Sequence, residues 1–313
     1  MFENIVIVAG HPRSGTHLVI DTIRLNFKNA DFPLIRPSFS TIENLILPHD
    51  YKVLDLWIDW LKKCNKENSI PIIKTHCIPS DIYSYLSIMS HKKEAELIKN
   101  IMRAAKFIYV KREPFESLKS WFEFAKGGGV VQANASKKRL EEITFGEFLK
   151  IENLYKLPFR SWSSIDMNVV NYIASHHMEW ASFIKDKKGI YLNFSDFKEN
   201  FEFSSNKLFD YLKLESINKS PKTNKLIIYK NPFTEEKQNK IYKFRIRLLN
   251  KLISFLSNLS PTLANKFRIK SRVPPSKKLN LEINEDDILD LKKKYNEAVK
   301  IYHRDGNHKV YFY

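Results

Sequence analysis

Five apolar residues, Ile5-Val6-Ile7-Val8-Ala9, run without interruption into a turn punctuated by two glycines, Gly10-His11-Pro12-Arg13-Ser14-Gly15. A stretch with helical spacing follows, from Thr16 to about Phe27. A continuous β-branched run, with no alternation of apolar and polar residues, suits a strand covered on both faces, and such strands belong to parallel sheets. A strand, a glycine-bearing turn and a helix in that order open a βαβ unit. The fold class expected is therefore α/β, with a central, mostly parallel sheet.

The rest of the chain repeats the theme. Ile70 to Ile73 leads into Lys74-Thr75-His76, and Phe107 to Val110 leads into Lys111-Arg112-Glu113-Pro114. Proline suits a first helical turn, and Phe115, Leu118, Trp121 and Phe122 then recur at helical spacing until Gly127-Gly128-Gly129 opens a loop. Thr144 and Glu147 have capping-box spacing. A long helix is expected from about Asn168 to Lys187, a strand from Ile190 to Phe194, and a final helix from Asn284 to about Tyr302. That helix has acids at its start and lysines later, as the helix dipole favours. No repeat, low-complexity linker or composition break divides residues 1–313, so one domain is expected, with its motif core at 3–200 and a helical, basic region at about 201–313.

Composition narrows the function classes. Apolar residues make up 43% of the chain, enough for a sizeable core. Two cysteines, Cys64 and Cys77, exclude a disulfide framework and a four-cysteine zinc site. No apolar run approaches the ~18 residues of a membrane span. The strand-like run begins at once, so no secretory leader is expected, and the expected location is cytoplasmic. The formal net charge is +17, which favours anionic partners. Much of it is local: residues 237–281 hold twelve lysines and arginines and no acid. Within that stretch 241–260 reads as a basic amphipathic helix, with Ile246, Leu249, Ile253 and Leu256 on one side. It is suited to an anionic acceptor or to the inner face of a membrane; no sequence-specific nucleic-acid binding is expected.

Ligands of open α/β sheets bind beyond the carboxyl ends of the strands. The loops there carry Arg13-Ser14-Gly15-Thr16, Lys74-Thr75-His76, and Arg112 with Ser120 in the helix that follows. The first is a phosphate cradle on physical grounds. Its glycines permit a tight turn, and the next helix presents its positive end. It is not a Walker A loop. Thr16 and His17 stand where that motif has Lys and a metal-binding hydroxyl, and the cation is Arg13, inside the loop. An obligatory metal is not expected. An ATP-dependent phosphotransferase remains the alternative, as does a non-enzymatic binder of polyanions or membrane surfaces. His76, His176 and His177 lack a carboxylate or cysteine at ligand spacing, so no metal site is expected there.

These motifs together resemble the sulfotransferases that use 3′-phosphoadenosine 5′-phosphosulfate (PAPS). His11-Pro12-Arg13-Ser14-Gly15-Thr16-His17-Leu18 is similar to that family's 5′-phosphosulfate loop, and Lys74-Thr75-His76 to its Lys-Thr-His block. Phe107 to Pro114, followed by Ser120-Trp121-Phe122, is similar to its 3′-phosphate motif, with Arg112 and Ser120 eight residues apart. Two lesser echoes are His176 with Trp180, and Tyr191 to Asp196. The resemblance spans roughly residues 3–200 and implies a P-loop-like, three-layer fold with PAPS as sulfuryl donor and no metal. His76 would be the general base, since an unperturbed imidazole titrates near ~6.5 and can accept a proton at neutral pH. Arg13 would meet charge at the leaving oxygen, and Lys74 would help hold the sulfuryl group. Ser14 belongs to the same loop. Gly15, Thr16 and His17 would offer backbone N–H groups to the 5′-phosphate. Arg112 and Ser120 would grip the 3′-phosphate.

The sequence also departs from the pattern. Leu18 replaces an adenine-stacking Trp, and Phe194 replaces a Tyr. The family's C-terminal 3′-phosphate segment has no counterpart that aligns, leaving Arg268, Lys270 and Arg272 as unaligned candidates. A divergent, bacterial-type member is expected. Its acceptor, a small molecule or a glycan, is expected to be polar or anionic, with a carbohydrate or glycolipid of the cell surface favoured by the basic stretch.

Overall fold

The computed structural model describes residues 5–27, 29–31, 51–88, 92–126, 143–150, 168–214, 216–222 and 283–304. In chain order the elements are β1 (Val6–Ala9), α1 (Thr16–Asn26), β2 (Ala30–Asp31), α2 (Tyr51–Lys66), β3 (Ile70–Thr75), α3 (Pro79–Ile88), α4 (Lys92–Ala104), β4 (Lys106–Lys111) and α5 (Pro114–Lys126). They continue with α6 (Phe145–Lys150), α7 (Val169–Asp186), β5 (Ile190–Asn193), α8 (Phe194–Glu199), α9 (Phe201–Leu212) and α10 (Glu285–Arg304). The five strands form one parallel sheet in the order β2-β3-β1-β4-β5.

Period-two alternation divides the strand side chains between two cores. Ile5, Ile7, Ala9, Ile73, Phe107 and Tyr109 face one side, packed with α3 to α7 and Leu291 of α10. Val6, Val8, Ile72, Ile108, Val110 and Leu192 face the other, under α1 and α9. Both faces are thus buried, which is why these strands read as unbroken apolar runs. The fold is a three-layer α/β arrangement.

Local signals explain most boundaries. Thr144 and Glu147 close a full capping box before α6: Thr144 N donates to Glu147 Oε2 at 2.6 Å, and Glu147 N to Thr144 Oγ1 at 3.2 Å. Asn168 caps α7 by accepting from Asn171 N at 2.8 Å. Phe27 falls just past the end of α1 as its C-cap. The fifth strand stops at Asn193, one residue before the expected end, because Phe194 already begins α8. The two-residue β2 was not expected from sequence, being too short to show a period. No helix among the described residues is long and apolar enough to cross a membrane. The acid-free stretch 237–281, with its expected helix and Arg268, Lys270 and Arg272, lies outside the described residues, as does the loop from Gly127.

Candidate active site

The strand order decides which loops meet. The chain leaves β1, returns as β3 on one side of it, then crosses to β4 on the other. The carboxyl ends are nearly flush, with Ala9 in register with both Thr75 and Tyr109. The three cationic loops singled out by sequence therefore stand side by side at the point where the strand order reverses, where open α/β sheets bind ligands.

The first loop is held by its own backbone. Ser14 N donates to His11 O at 3.0 Å, and Gly10 N to Thr75 O at 3.3 Å. A Cβ on Gly10 would lie 2.8 Å from the Val110 carbonyl oxygen, so the loop packs directly on β4. Arg13 adopts φ 68° and Gly15 φ 100°, both left-handed. Such a conformation costs Arg13 of order 1 kcal/mol or more, a strain that persists only when surroundings enforce it. Gly15 is also where a Cβ would overlap the Phe194 ring. Gly15 is the N-cap of α1, and no side chain among the described residues caps it. Ser14 Oγ is fully buried without a hydrogen-bond partner among the described residues. A buried hydroxyl without a partner beside an uncapped helix start is what an anion-binding loop presents before its ligand arrives.

The second loop carries Lys74 and His76, both almost fully buried, at 5% and 7% exposure. Lys74 Nζ lies 3.0 Å from His17 Nε2. His76 Nδ1 contacts the Gly10 carbonyl oxygen. A carbonyl only accepts, so Nδ1 carries the proton and Nε2 is the ring's accepting nitrogen. That is the tautomer a base needs if Nε2 is to face the acceptor.

Helix α7 fixes the backbone of this loop. Tyr172, His176 and Trp180, spaced by four, share one helix face. The Tyr172 hydroxyl donates to His76 O at 2.6 Å, His176 Nε2 to the same oxygen at 3.2 Å, and Trp180 Nε1 to Cys77 O at 2.9 Å. Glu179 takes both Ser80 N and Ser80 Oγ at 2.8 Å, at the start of α3. His176 Nδ1 accepts from the Tyr109 hydroxyl at 2.9 Å. Burial lowers the pKa of His176 well below the usual histidine value, with nearby histidines adding to the effect, so the ring is neutral, as two oppositely directed hydrogen bonds require. Of this group, sequence had picked out His176 and Trp180 only. Tyr172 was legible in principle, one turn before His176 on the same face.

The third loop converges on the first. Arg112 Nη1 donates to Arg13 O at 3.1 Å and Nη2 to Glu116 Oε2 at 3.2 Å. Its guanidinium carbon lies 4.8 Å from the Phe194 ring centroid. Arg13 Nε in turn donates to Ser120 Oγ at 3.3 Å. The sequence-predicted residues Arg13, Lys74, His76, Arg112 and Ser120 are thus assembled at one end of the sheet, around the start of α1 formed by Ser14, Gly15, Thr16 and His17. Phe194, noted from sequence only as a replacement, is the shelf between Gly15 and Arg112.

The C-terminal helix reaches this region. Tyr295 of α10 hydrogen-bonds His177 Nδ1 through its hydroxyl at 2.8 Å. Burial and nearby Lys111 lower His177 to about 3, and burial with Glu113 raises Tyr295 to about 12. Among the described residues, no group of three or more His, Cys, Asp or Glu side chains is placed to hold a metal ion.

The family model described as "Sulfotransferase domain" matches residues 3–246, more than three quarters of the chain and past the 3–200 motif core. The chain belongs to the sulfotransferase family. Among solved structures it is similar to mouse sulfotransferase SULT7A1 complexed with PAP, at 16% identity and a TM-score of 0.40, covering 70% of this chain. The alignment spans 61% of the SULT7A1 chain, less than two thirds of its length. It is also similar to a retinol dehydratase complexed with retinol and PAP, at 14% identity and a TM-score of 0.41, covering 96% of this chain and 82% of that one. No curated protein matches the sequence.

Proposed function

We propose that this protein transfers a sulfuryl group from PAPS to a hydroxyl or amine of a polar acceptor. One observation carries the reading: Arg13, Lys74 and Arg112 gather at the carboxyl ends of three adjacent strands, around a helix start and a buried Ser14 hydroxyl that, among the described residues, have no side-chain cap and no hydrogen-bond partner. The residues fit a nucleotide carrying two separated anionic groups. Gly15, Thr16 and His17 would take the 5′-phosphate on backbone N–H groups, and Arg112 with Ser120 the 3′-phosphate. PAPS supplies an activated sulfuryl group, with adenosine 3′,5′-bisphosphate (PAP) as leaving group. Membership of the sulfotransferase family, and PAP in the related structures, support that donor.

The chain's own residues divide the remaining work. His76 accepts the acceptor's proton at Nε2, while Gly10 O holds Nδ1–H. Arg13 meets the charge that develops on the leaving oxygen; with a pKa above ~12 it stabilises that charge without donating a proton. Lys74 steadies the sulfuryl oxygens. We further take residues 1–313 as one domain, because α10 buries Leu291 in the core beside α7. The acceptor proposed is anionic, a glycan or glycolipid, recognised by the twelve cations of 237–281. The same charges suit a cytoplasmic protein that touches the inner face of the membrane.

Isothermal calorimetry in EDTA tests the donor. PAP should bind without metal, more tightly than ATP. A preference for ATP with Mg²⁺ over PAP would overturn the reading in favour of a phosphotransferase.

A further inference from the structure

We infer that His17 is a positioning residue for Lys74, an inference that rests on the sulfotransferase reading above. Lys74 is buried, and an ammonium taken from water needs acceptors. Its Nζ lies 3.0 Å from Nε2 of His17. Ammonium has only hydrogens to give, so the direction is fixed: Nζ donates, Nε2 accepts, and the His17 proton sits on Nδ1.

The placement has two consequences. A lysine side chain carries about 2 kcal/mol of rotamer entropy. Pairing it with His17 settles that cost before any nucleotide arrives, so the ammonium waits in place at the end of β3. The acceptor's charge matters as well. A carboxylate at position 17 would hold Lys74 equally well but cancel its charge. A neutral imidazole holds the ammonium and leaves the full positive charge to the sulfuryl oxygens. His17 is the second residue of α1, so its backbone stays with the helix start while its side chain crosses to β3. Position 17 is where a Walker loop carries a hydroxyl; the imidazole there is what lets the helix start reach Lys74.

PAP lacks the sulfuryl group and PAPS carries it, so the ratio of their dissociation constants, PAP over PAPS, reads the Lys74 contact separately from the rest of the site. His17→Leu should lower that ratio about tenfold, the scale of one lost hydrogen bond to a charged group. Lys74→Met should do the same. The double variant should lower it no further, since the two side chains act as one unit. His17→Gln should restore the ratio, because its amide oxygen can accept from Lys74 near the Nε2 position. Thermal melts confirm that each variant folds, and His17→Gln against His17→Leu gives a second comparison at the same site. A ratio indifferent to His17→Leu in a wild type that binds both nucleotides overturns this inference alone. Equal weakening of PAP and PAPS by His17→Leu, unrescued by Gln, assigns His17 a structural role and also overturns it. A wild type that binds neither nucleotide overturns the functional reading, and this inference with it.

Discussion

Arg112 shows how much one residue can organise. It donates to the backbone of Arg13 and to Glu116, and its guanidinium lies over Phe194, so it ties the first loop, α5 and the start of α8 together. In the proposed function that guanidinium meets the 3′-phosphate, whose oxygens suit its charge-assisted, bidentate geometry. Arg112→Ala should weaken PAP by about 2 kcal/mol, the scale of a lost charged partner. Adenosine 5′-phosphate, which lacks the 3′ group, should be weakened far less; calorimetry with both nucleotides checks this. His76 is expected to act on the chemical step alone. His76→Ala should cut kcat on a confirmed acceptor by about 10²- to 10⁴-fold, the usual worth of a general base. PAP affinity should stay close to wild type. Turnover of His76→Ala within a few-fold of wild type would mean that another group takes the proton.

At the scale of elements, the loop after β3 does not stand on its own residues. Helix α7 grips it through three hydrogen bonds from one face, and α10 braces α7 from outside through His177 and Tyr295. The proposed general base is therefore placed by a helix more than ninety residues away in sequence, as Tyr172 to His76 shows. Tyr172→Phe removes one of two donors to the His76 carbonyl and keeps the ring in its packing. It should cost about 1 kcal/mol in denaturant unfolding, a typical net hydrogen bond. It should also lower kcat while leaving PAP affinity close to wild type, because the phenyl ring keeps its packing against His11 of the first loop. Loss of PAP binding together with stability would show instead that α7 supports the whole site rather than His76.

Among the described residues, folding keeps His11, His176 and His177 neutral. Burial lowers His11, His176 and His177 below 6.5, to about 3 for His177. The unfolded chain then binds more protons than the native one at acid pH. The stability these groups contribute is full above pH 6.5 and is lost as pH falls towards their native values. Each histidine should remove about 1.4 kcal/mol per pH unit within that window. Melting temperatures should thus fall steadily from pH 7 to pH 5, and His177→Leu should flatten the slope. A wild-type midpoint unchanged between those values would contradict the burial. Charge gives the second prediction at this scale. If 237–281 holds an anionic acceptor, KM should rise with salt. Reversing Lys240, Lys243 and Arg247 to Glu should then raise KM with little change in kcat. An unchanged KM at low salt would place the acceptor elsewhere.

Much of this was readable from the chain alone, for local reasons. Strands covered on both faces must be apolar throughout, so β1, β3 and β4 announced themselves, and capping-box spacing marked the start of α6. Lys74, His76 and Arg112 sit within one residue of a strand end and Arg13 four residues past one, so their loops were visible as well. What sequence could not supply was neighbourhood. That β1 lies between β3 and β4, bringing Arg13, Lys74 and Arg112 together, follows from the order of pairing, which no local pattern encodes. The hydrogen bonds of Lys74 to His17, of Tyr172 to His76 and of His177 to Tyr295 join residues 57 to 118 positions apart. Such partners are chosen when helices pack on the sheet and each buried polar group must find a mate. The residue types and their spacing determined which groups the chain brings to the site; the packing of α1, α7 and α10 determined which of them hold one another in place.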